Sequence, residues 1–160
     1  MIIVVMGVAG AGKTYVGSAL AKRLGWRFLD ADDCHSAANV AKMRAGIPLS
    51  DSDREPWLAT LQDFIASATA SGDDAVVACS ALRQEFRQRL AAAGRDVVFV
   101  YLRVSAATAE QRTRNRIGHF MPPALVESQF ETLEEPADAI VVDGEAAVED
   151  IVTRIIEEST

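Results

Sequence analysis

Cysteine is scarce. Only Cys34 and Cys79 occur, and their separation matches neither a metal-ligand spacing nor a CxxC redox motif. Both read as small buried residues of a reducing compartment, which excludes a disulfide scaffold. Positive charge is in deficit as well. With 16 Lys and Arg against 23 Asp and Glu, the formal net charge is −7, which argues against a general binder of nucleic acid or of anionic membrane. Long apolar runs are missing, and no stretch approaches the length that crosses a bilayer. No basic leader precedes the first apolar run, so no signal peptide is expected and a cytoplasmic location is the default. Internal repeats and low-complexity segments are also lacking. What remains is a chain of 160 residues, 49% of them hydrophobic: one domain, 1–160, large enough for a sheet covered by helices.

Against that background one segment stands out. Gly7-Val8-Ala9-Gly10-Ala11-Gly12-Lys13-Thr14 fits G-x-x-x-x-G-K-[ST], the phosphate-binding P-loop. It follows an apolar run, Ile2 to Met6, and precedes a helical pattern, Tyr15 to Leu24. Strand, glycine loop and helix is the order such a loop requires. The glycines let backbone N–H groups turn inward around phosphate oxygens, and the helix N-terminus adds its positive end. Lys13 can neutralise the β and γ phosphates of ATP, and the Thr14 hydroxyl can ligate Mg²⁺. Gly7, Ala9, Gly10, Ala11, Gly12, Lys13, Thr14 and the adjoining Tyr15 are therefore the nucleotide-binding candidates.

Short apolar runs alternate with helical patterns along the rest of the chain. Strands are expected at Ile2 to Met6, Arg27 to Leu29, Ala75 to Cys79, Val97 to Leu102 and Ala139 to Val142, apolar throughout as buried parallel strands are. Helices are expected at Tyr15 to Leu24, Ala37 to Ala45, Asp53 to Ser71, Gln84 to Ala93, Ala106 to Arg116, Pro123 to Leu133 and Ala146 to Glu158. Gly25, Gly46, Gly72 and Gly94 read as their C-terminal stops, and Ser52 or Asp53 as the N-cap of the third. The alternation predicts an α/β fold, a three-layer α/β/α domain on a five-stranded parallel sheet. Two places break it: a helical insert at about 35–72 and a short glycine- and proline-bearing lid at about 112–123. Extra elements at the C-terminal edge of such a sheet usually build the substrate site.

Phe28-Leu29-Asp30-Ala31-Asp32-Asp33 ends the second strand. Side chains two apart on a strand point the same way, so Asp30 and Asp32 are expected to project together while Asp33 is solvated. Beside a P-loop, two carboxylates suit two jobs: positioning Mg²⁺ and accepting a proton from an attacking hydroxyl. His35 lies at the mouth of the cleft, where it can hydrogen-bond a polyol or a carboxylate. Lys42, Arg44, Arg54 and Arg83 are basic in an acidic chain. Arg54 is a fork for an acceptor carboxylate or else a local partner of Asp51 or Asp53. Arg112 and Arg116, four apart, are expected on one helix face, carrying charge onto the transferring phosphoryl from the lid. Ser80, at the tip of the third strand, either meets the substrate or caps the next helix.

These residues resemble the gluconokinases of the bacterial P-loop type, relatives of shikimate kinases and nucleoside monophosphate kinases. The resemblance spans nearly the whole chain. It runs through Met6 to Thr14, Phe28 to Asp32 with His35, Asn39, Lys42-Met43, Gly46, Pro48-Leu49, Asp51, Asp53-Arg54, Pro56-Trp57-Leu58 and Cys79 to Leu82. It continues through Arg112, Arg116, Gly118-His119-Phe120 and Ser128 to Glu134. The run from His35 to Leu58 and the pair His119-Phe120 are the specific parts, since shikimate kinases share only the loop and the paired aspartates. The resemblance implies ATP-dependent phosphorylation of D-gluconate at its terminal hydroxyl. By similarity Asp32 is the general base, Asp30 lies near the metal with Thr14, and Lys13, Arg112 and Arg116 carry the transfer. His35, Arg54, Ser80, Arg83 and His119 join Asp32 at the acceptor site, and the assembly is a homodimer. The stretch Asp143-Gly144-Glu145 lies where related kinases contact the base. Departures are small: Ser36 stands where proline is usual, Arg83 where lysine is frequent, and Ala11 where serine or cysteine is common. The rivals are a kinase for another small acidic acceptor, such as shikimate or another aldonate, a nucleoside monophosphate kinase, and a nucleotide-binding module without catalysis.

Overall fold

The structure, a computed structural model, describes residues 1–116 and 124–160. Its centre is β1 (Ile2–Met6), every residue of which is buried. Period-two alternation splits this one strand between two cores. Ile3 and Val5 face a cluster with Val16, Leu20, Ile151 and Ile155, while Ile2, Val4 and Met6 face a cluster with Leu58, Leu61, Ile65 and Leu90. The first core lies beneath α1 (Lys13–Leu24) and α7 (Val148–Ser159); the second lies beneath α3 (Asp51–Ser71) and α4 (Gln84–Ala92). Those two apolar faces make the sheet the middle of three layers.

Alongside β1 run β3 (Ala75–Ala78) and β4 (Val97–Arg103), flanked in turn by β2 (Arg27–Asp30) and β5 (Ile140–Asp143). All neighbours pair in parallel in the order β2-β3-β1-β4-β5, with Ile2 opposite both Ala75 and Val97. The chain moves to one side of β1 for β2 and β3 and to the other for β4 and β5. Its direction therefore reverses at β1, and in a parallel sheet such a switch point opens the crevice where ligands bind. The glycine loop leaves the C-terminal end of β1 into that crevice. The expected fold class is the observed one.

The insert contains α2 (Ala37–Arg44) and the long α3. Ser50 caps α3, not Ser52 or Asp53: its side chain accepts the Asp53 N–H, and the Asp53 carboxylate accepts the Ser50 N–H in return. This reciprocal box starts the helix two residues earlier than expected, at Asp51. Gly25, Gly46 and Gly72 end α1, α2 and α3 as expected, each with a left-handed backbone, whereas Ala93 closes α4. Gly94 is present for a different reason. A Cβ there would lie 2.6 Å from the Ile65 Cγ2, so the missing side chain lets the end of α4 approach α3. The remaining helices, α5 (Ala106–Asn115) and α6 (Ala124–Thr132), stand on either side of residues 117–123. His119 and most of the expected lid lie outside the described residues. Cys79 is buried as expected, but Cys34 is only half-buried.

Candidate active site

Packing against α5 fixes the shape of the glycine loop. At Gly10 the backbone is left-handed (φ +81), and a Cβ would meet the Ala109 carbonyl oxygen at 2.5 Å. Only glycine satisfies both conditions. Inside the loop, Lys13 folds back so that Nζ donates to the Val8 carbonyl at 3.0 Å. Burial pushes the Lys13 pKa down, opposed chiefly by the nearby Asp32 carboxylate. The result is a desolvated cation inside the loop, where a phosphate is its natural counter-charge. From the other end of the chain, Gln129 of α6 reaches the loop, its Oε1 accepting the Ala9 N–H at 2.7 Å.

Asp30 and Asp32 come together by a route other than strand alternation. The strand stops at Asp30, and a single 3-10 turn, Ala31–Cys34, carries Asp32. Asp30 caps that turn, with Oδ1 accepting the Asp32 N–H at 3.0 Å. Its other oxygen, Oδ2, accepts the Thr14 hydroxyl at 2.6 Å. Both Asp30 oxygens are thus engaged in structure around the loop, while Asp32 lines the main cavity with Lys13, Thr14 and Ser80. The two carboxylates thus differ in setting, Asp30 bonded to the loop and to its own turn and Asp32 facing the cavity. Asp33 is exposed.

The far wall of this cavity is built from the insert. His35 stacks on Trp57 with ring centroids 4.7 Å apart and planes 6° from parallel. The Trp57 indole N–H donates to the Ala31 carbonyl at 2.7 Å, tying α3 to the turn that bears Asp32. The buried Asn39 donates through Nδ2 to the Asp53 carbonyl at 2.9 Å and to His35 Nδ1 at 3.3 Å. An amide nitrogen cannot accept, so Nδ1 is the unprotonated nitrogen of a neutral ring and Nε2 carries the proton. Burial lowers the His35 pKa, against the pull of Asp32, and favours that neutral form. His35 is therefore set up as a hydrogen-bond donor at physiological pH.

Arg54 lines the same cavity and lies 3.7 Å from Asp51 Oδ1. The Asp53 carboxylate pairs instead with Lys42 Nζ at 2.8 Å. Arg83 takes Asp51 more tightly, at 2.9 Å, and is not among the residues lining the cavity. Two guanidinium groups thus share one carboxylate at the rim, leaving Arg54 available to an anion. Ser80 lines the cavity and does not cap α4, whose N-cap is Arg83. The turn after Ser80 is strained. Ala81 has φ +45, and the buried Arg87 holds it by donating to the carbonyls of Ala81 (2.7 Å), Leu82 (3.0 Å) and Glu134 (2.8 Å).

A second cavity opens on the opposite side of the loop, between Gly10–Gly12, Tyr15, Gly144, Ala146, Val148 and Ile151. Arg112 lines it and donates to the carbonyls of Gly10 (3.2 Å) and Gly144 (3.1 Å), bracing the loop against the segment after β5. Arg116 does not share the helix with it. The helix ends at Asn115, and Arg116 is extended (φ −78, ψ 121). Even so, Arg116 is the arginine that lines both cavities, and its guanidinium sits 5.9 Å from the Tyr15 ring centroid. The intervening Arg114 is turned away toward Glu110, 3.6 Å distant.

Several lining residues carried no functional signal of their own. Val148 and Ile151 follow a helix-core pattern, and Leu49, Leu82 and Phe86 are ordinary apolar residues. Gln129 was visible only as part of the resemblance.

Residues 2–138 match the AAA domain family. The gluconokinase of Gluconobacter oxydans is 43% identical over 157 residues, covering 96% of this chain and 88% of the relative. A solved sugar kinase from Janibacter superposes with a TM-score of 0.90 at 38% identity, over 98% of this chain and 92% of the other. The solved gluconokinase of Sinorhizobium meliloti gives a TM-score of 0.86 at 39% identity, over 98% and 90%.

Proposed function

Because the chain belongs to the gluconokinase family, we infer that it transfers the terminal phosphoryl of ATP to the terminal hydroxyl of D-gluconate, giving 6-phospho-D-gluconate. The observation that carries this reading is a single cavity lined at once by the donor loop (Gly12, Lys13, Thr14), by Asp32 and by the acceptor-wall residues His35 and Arg54. Phosphoryl transfer needs positioning and charge neutralisation more than covalent chemistry. Lys13 and Arg116 spread the charge of the transferring group. Arg112 holds the loop against the segment after β5 and so shapes the nucleotide side. Asp32 aligns the acceptor hydroxyl and takes its proton late. Arg54 pairs with the gluconate carboxylate, and His35 and Ser80 hydrogen-bond its hydroxyls. Adenine fits the second cavity, where Tyr15 and Val148 are its apolar sides.

Thr14 and Asp30 fit Mg²⁺. A hydroxyl and a carboxylate 2.6 Å apart are hard oxygen donors at the mouth of a phosphate loop, and Mg²⁺ is usually held by one or two protein oxygens plus phosphates. Bound there, the ion supplies charge neutralisation to the β and γ phosphates. The resemblance also carries a homodimer working in the cytoplasm, without nucleic acid or membrane. The net charge of −7 supports the last two points, and no described helix is long and apolar enough to cross a membrane. Sedimentation of the purified chain tests the dimer.

An ADP-release assay with gluconate, shikimate and AMP as acceptors tests the central reading. Turnover with gluconate alone is expected. Turnover with shikimate or AMP instead would overturn the acceptor, and nucleotide binding without turnover would favour a non-catalytic module.

A further inference from the structure

Gln129 lines the acceptor cavity yet has no part in the transfer described above. It stands on α6, 120 residues beyond the loop it touches, and its Oε1 accepts the Ala9 N–H at 2.7 Å. The position of Ala9 gives this bond its meaning. Gly10 and Gly12 line both cavities, but Ala9 lines only the acceptor cavity. Ala9 is therefore a loop residue of the cavity that also holds Asp32 and Arg54, and its N–H is the one that Gln129 engages. Backbone N–H groups of such loops are donors to phosphate oxygens. Here a neutral carboxamide oxygen sits where an anionic oxygen would otherwise be drawn.

We propose that Gln129 tempers the loop's hold on the terminal phosphoryl of ATP, its carboxamide oxygen competing with that group for the Ala9 N–H. A neutral acceptor at this position shapes the loop without repelling the incoming charge. A carboxylate of the same shape would make the same bond while placing a negative charge beside the terminal phosphoryl. ADP lacks the terminal phosphoryl and so has no share in this bond. Gln129 thus separates the two nucleotides. The proposal rests on ATP as donor and not on the identity of the acceptor.

The test is calorimetric titration of the purified full chain, without any acceptor, using a non-hydrolysable ATP analogue and ADP. The quantity read is the ratio of their dissociation constants. In Q129E the ratio is expected to rise about tenfold, equivalent to about 1.4 kcal/mol. In Q129A, which removes the competing oxygen, it is expected to fall about two- to threefold. A ratio unchanged in Q129A, or in a folded Q129E, overturns the proposal and leaves Gln129 a structural brace. If Q129E fails to fold, the Q129A ratio alone decides. Because no acceptor is present, failure here is distinguishable from failure of the gluconate reading, which the ADP-release assay tests on the unaltered chain.

Discussion

The two halves of the site are made of different material. The donor half is mostly backbone: loop N–H groups, a helix start, and carbonyls gripped by Arg112. The proposed acceptor half is mostly side chains from the insert and the tip of β3, with His35, Arg54, Trp57 and Ser80 lining one cavity. Backbone shape is set by a short contiguous stretch, so it tolerates few substitutions and serves any nucleoside triphosphate. A wall of separate side chains can be retuned one residue at a time, which is how one loop comes to serve many acceptors.

Substitutions can break this contrast, and the largest effect is expected where the halves meet. D32N should lower kcat by about 10²- to 10⁴-fold while moving KM for gluconate only a few-fold, because a proton acceptor acts mainly in the transition state. Steady-state kinetics check this, and near wild-type kcat would remove Asp32 as the base. R54A should act on the acceptor half alone. Losing a charge-assisted contact of about 1.5–3 kcal/mol predicts a KM for gluconate raised roughly 10- to 150-fold, with KM for ATP unchanged. Equal rises in both would erase the division into halves.

W57F probes how the insert reaches the catalytic turn. It keeps an aromatic ring beside His35 but leaves the Ala31 carbonyl without its indole donor. A stability loss of about 1–3 kcal/mol by chemical denaturation is expected. A kcat loss should accompany it, since Ala31 adjoins Asp32. A smaller effect concerns pH. His35 is held below its ordinary pKa of 6.5 by burial. The neutral ring therefore stabilises the fold fully above the unfolded-state value, and that contribution is lost as pH falls through the lowered folded-state value. Thermal unfolding from pH 8 to pH 5 should show a steeper acid-side decline in the wild type than in H35Q. The smallest effect belongs to Arg27 and Asp73, a surface pair 3.2 Å apart and far from either half. Its double alanine variant should change stability by less than about 1 kcal/mol and leave kinetics unaltered.

The same contrast explains what the sequence made legible. β1, the loop and α1 are contiguous, and their apolar run, glycines and Lys13-Thr14 could be read directly. Asp30 and Asp32 were found for a partly wrong reason: spacing implied a strand pair, whereas a 3-10 turn capped by Asp30 brings them together. Ser80 could not be separated from a helix cap until α4 was seen to begin three residues later than a Ser80 cap would require. Arg54 and Arg83 were both expected at the acceptor, and although both pair with Asp51, only Arg54 lines the cavity, a difference that depends on the fold. Gln129 carries no local signal, because its partner is a backbone N–H 120 residues away.

The hydrogen bond from Thr14 to Asp30 has a consequence for timing. A hydroxyl turns freely about its C–O bond, and each orientation aims its lone pairs differently. Here the hydrogen is committed to a carboxylate at 2.6 Å, so the rotor is stopped and the lone pairs point away from Asp30 in a fixed sense. The entropy of aiming them is spent during folding, not at each encounter with a cation. In the proposed Mg²⁺ site that oxygen would be aligned before the ion arrives, and Asp30 would contribute through the direction it imposes on its neighbour.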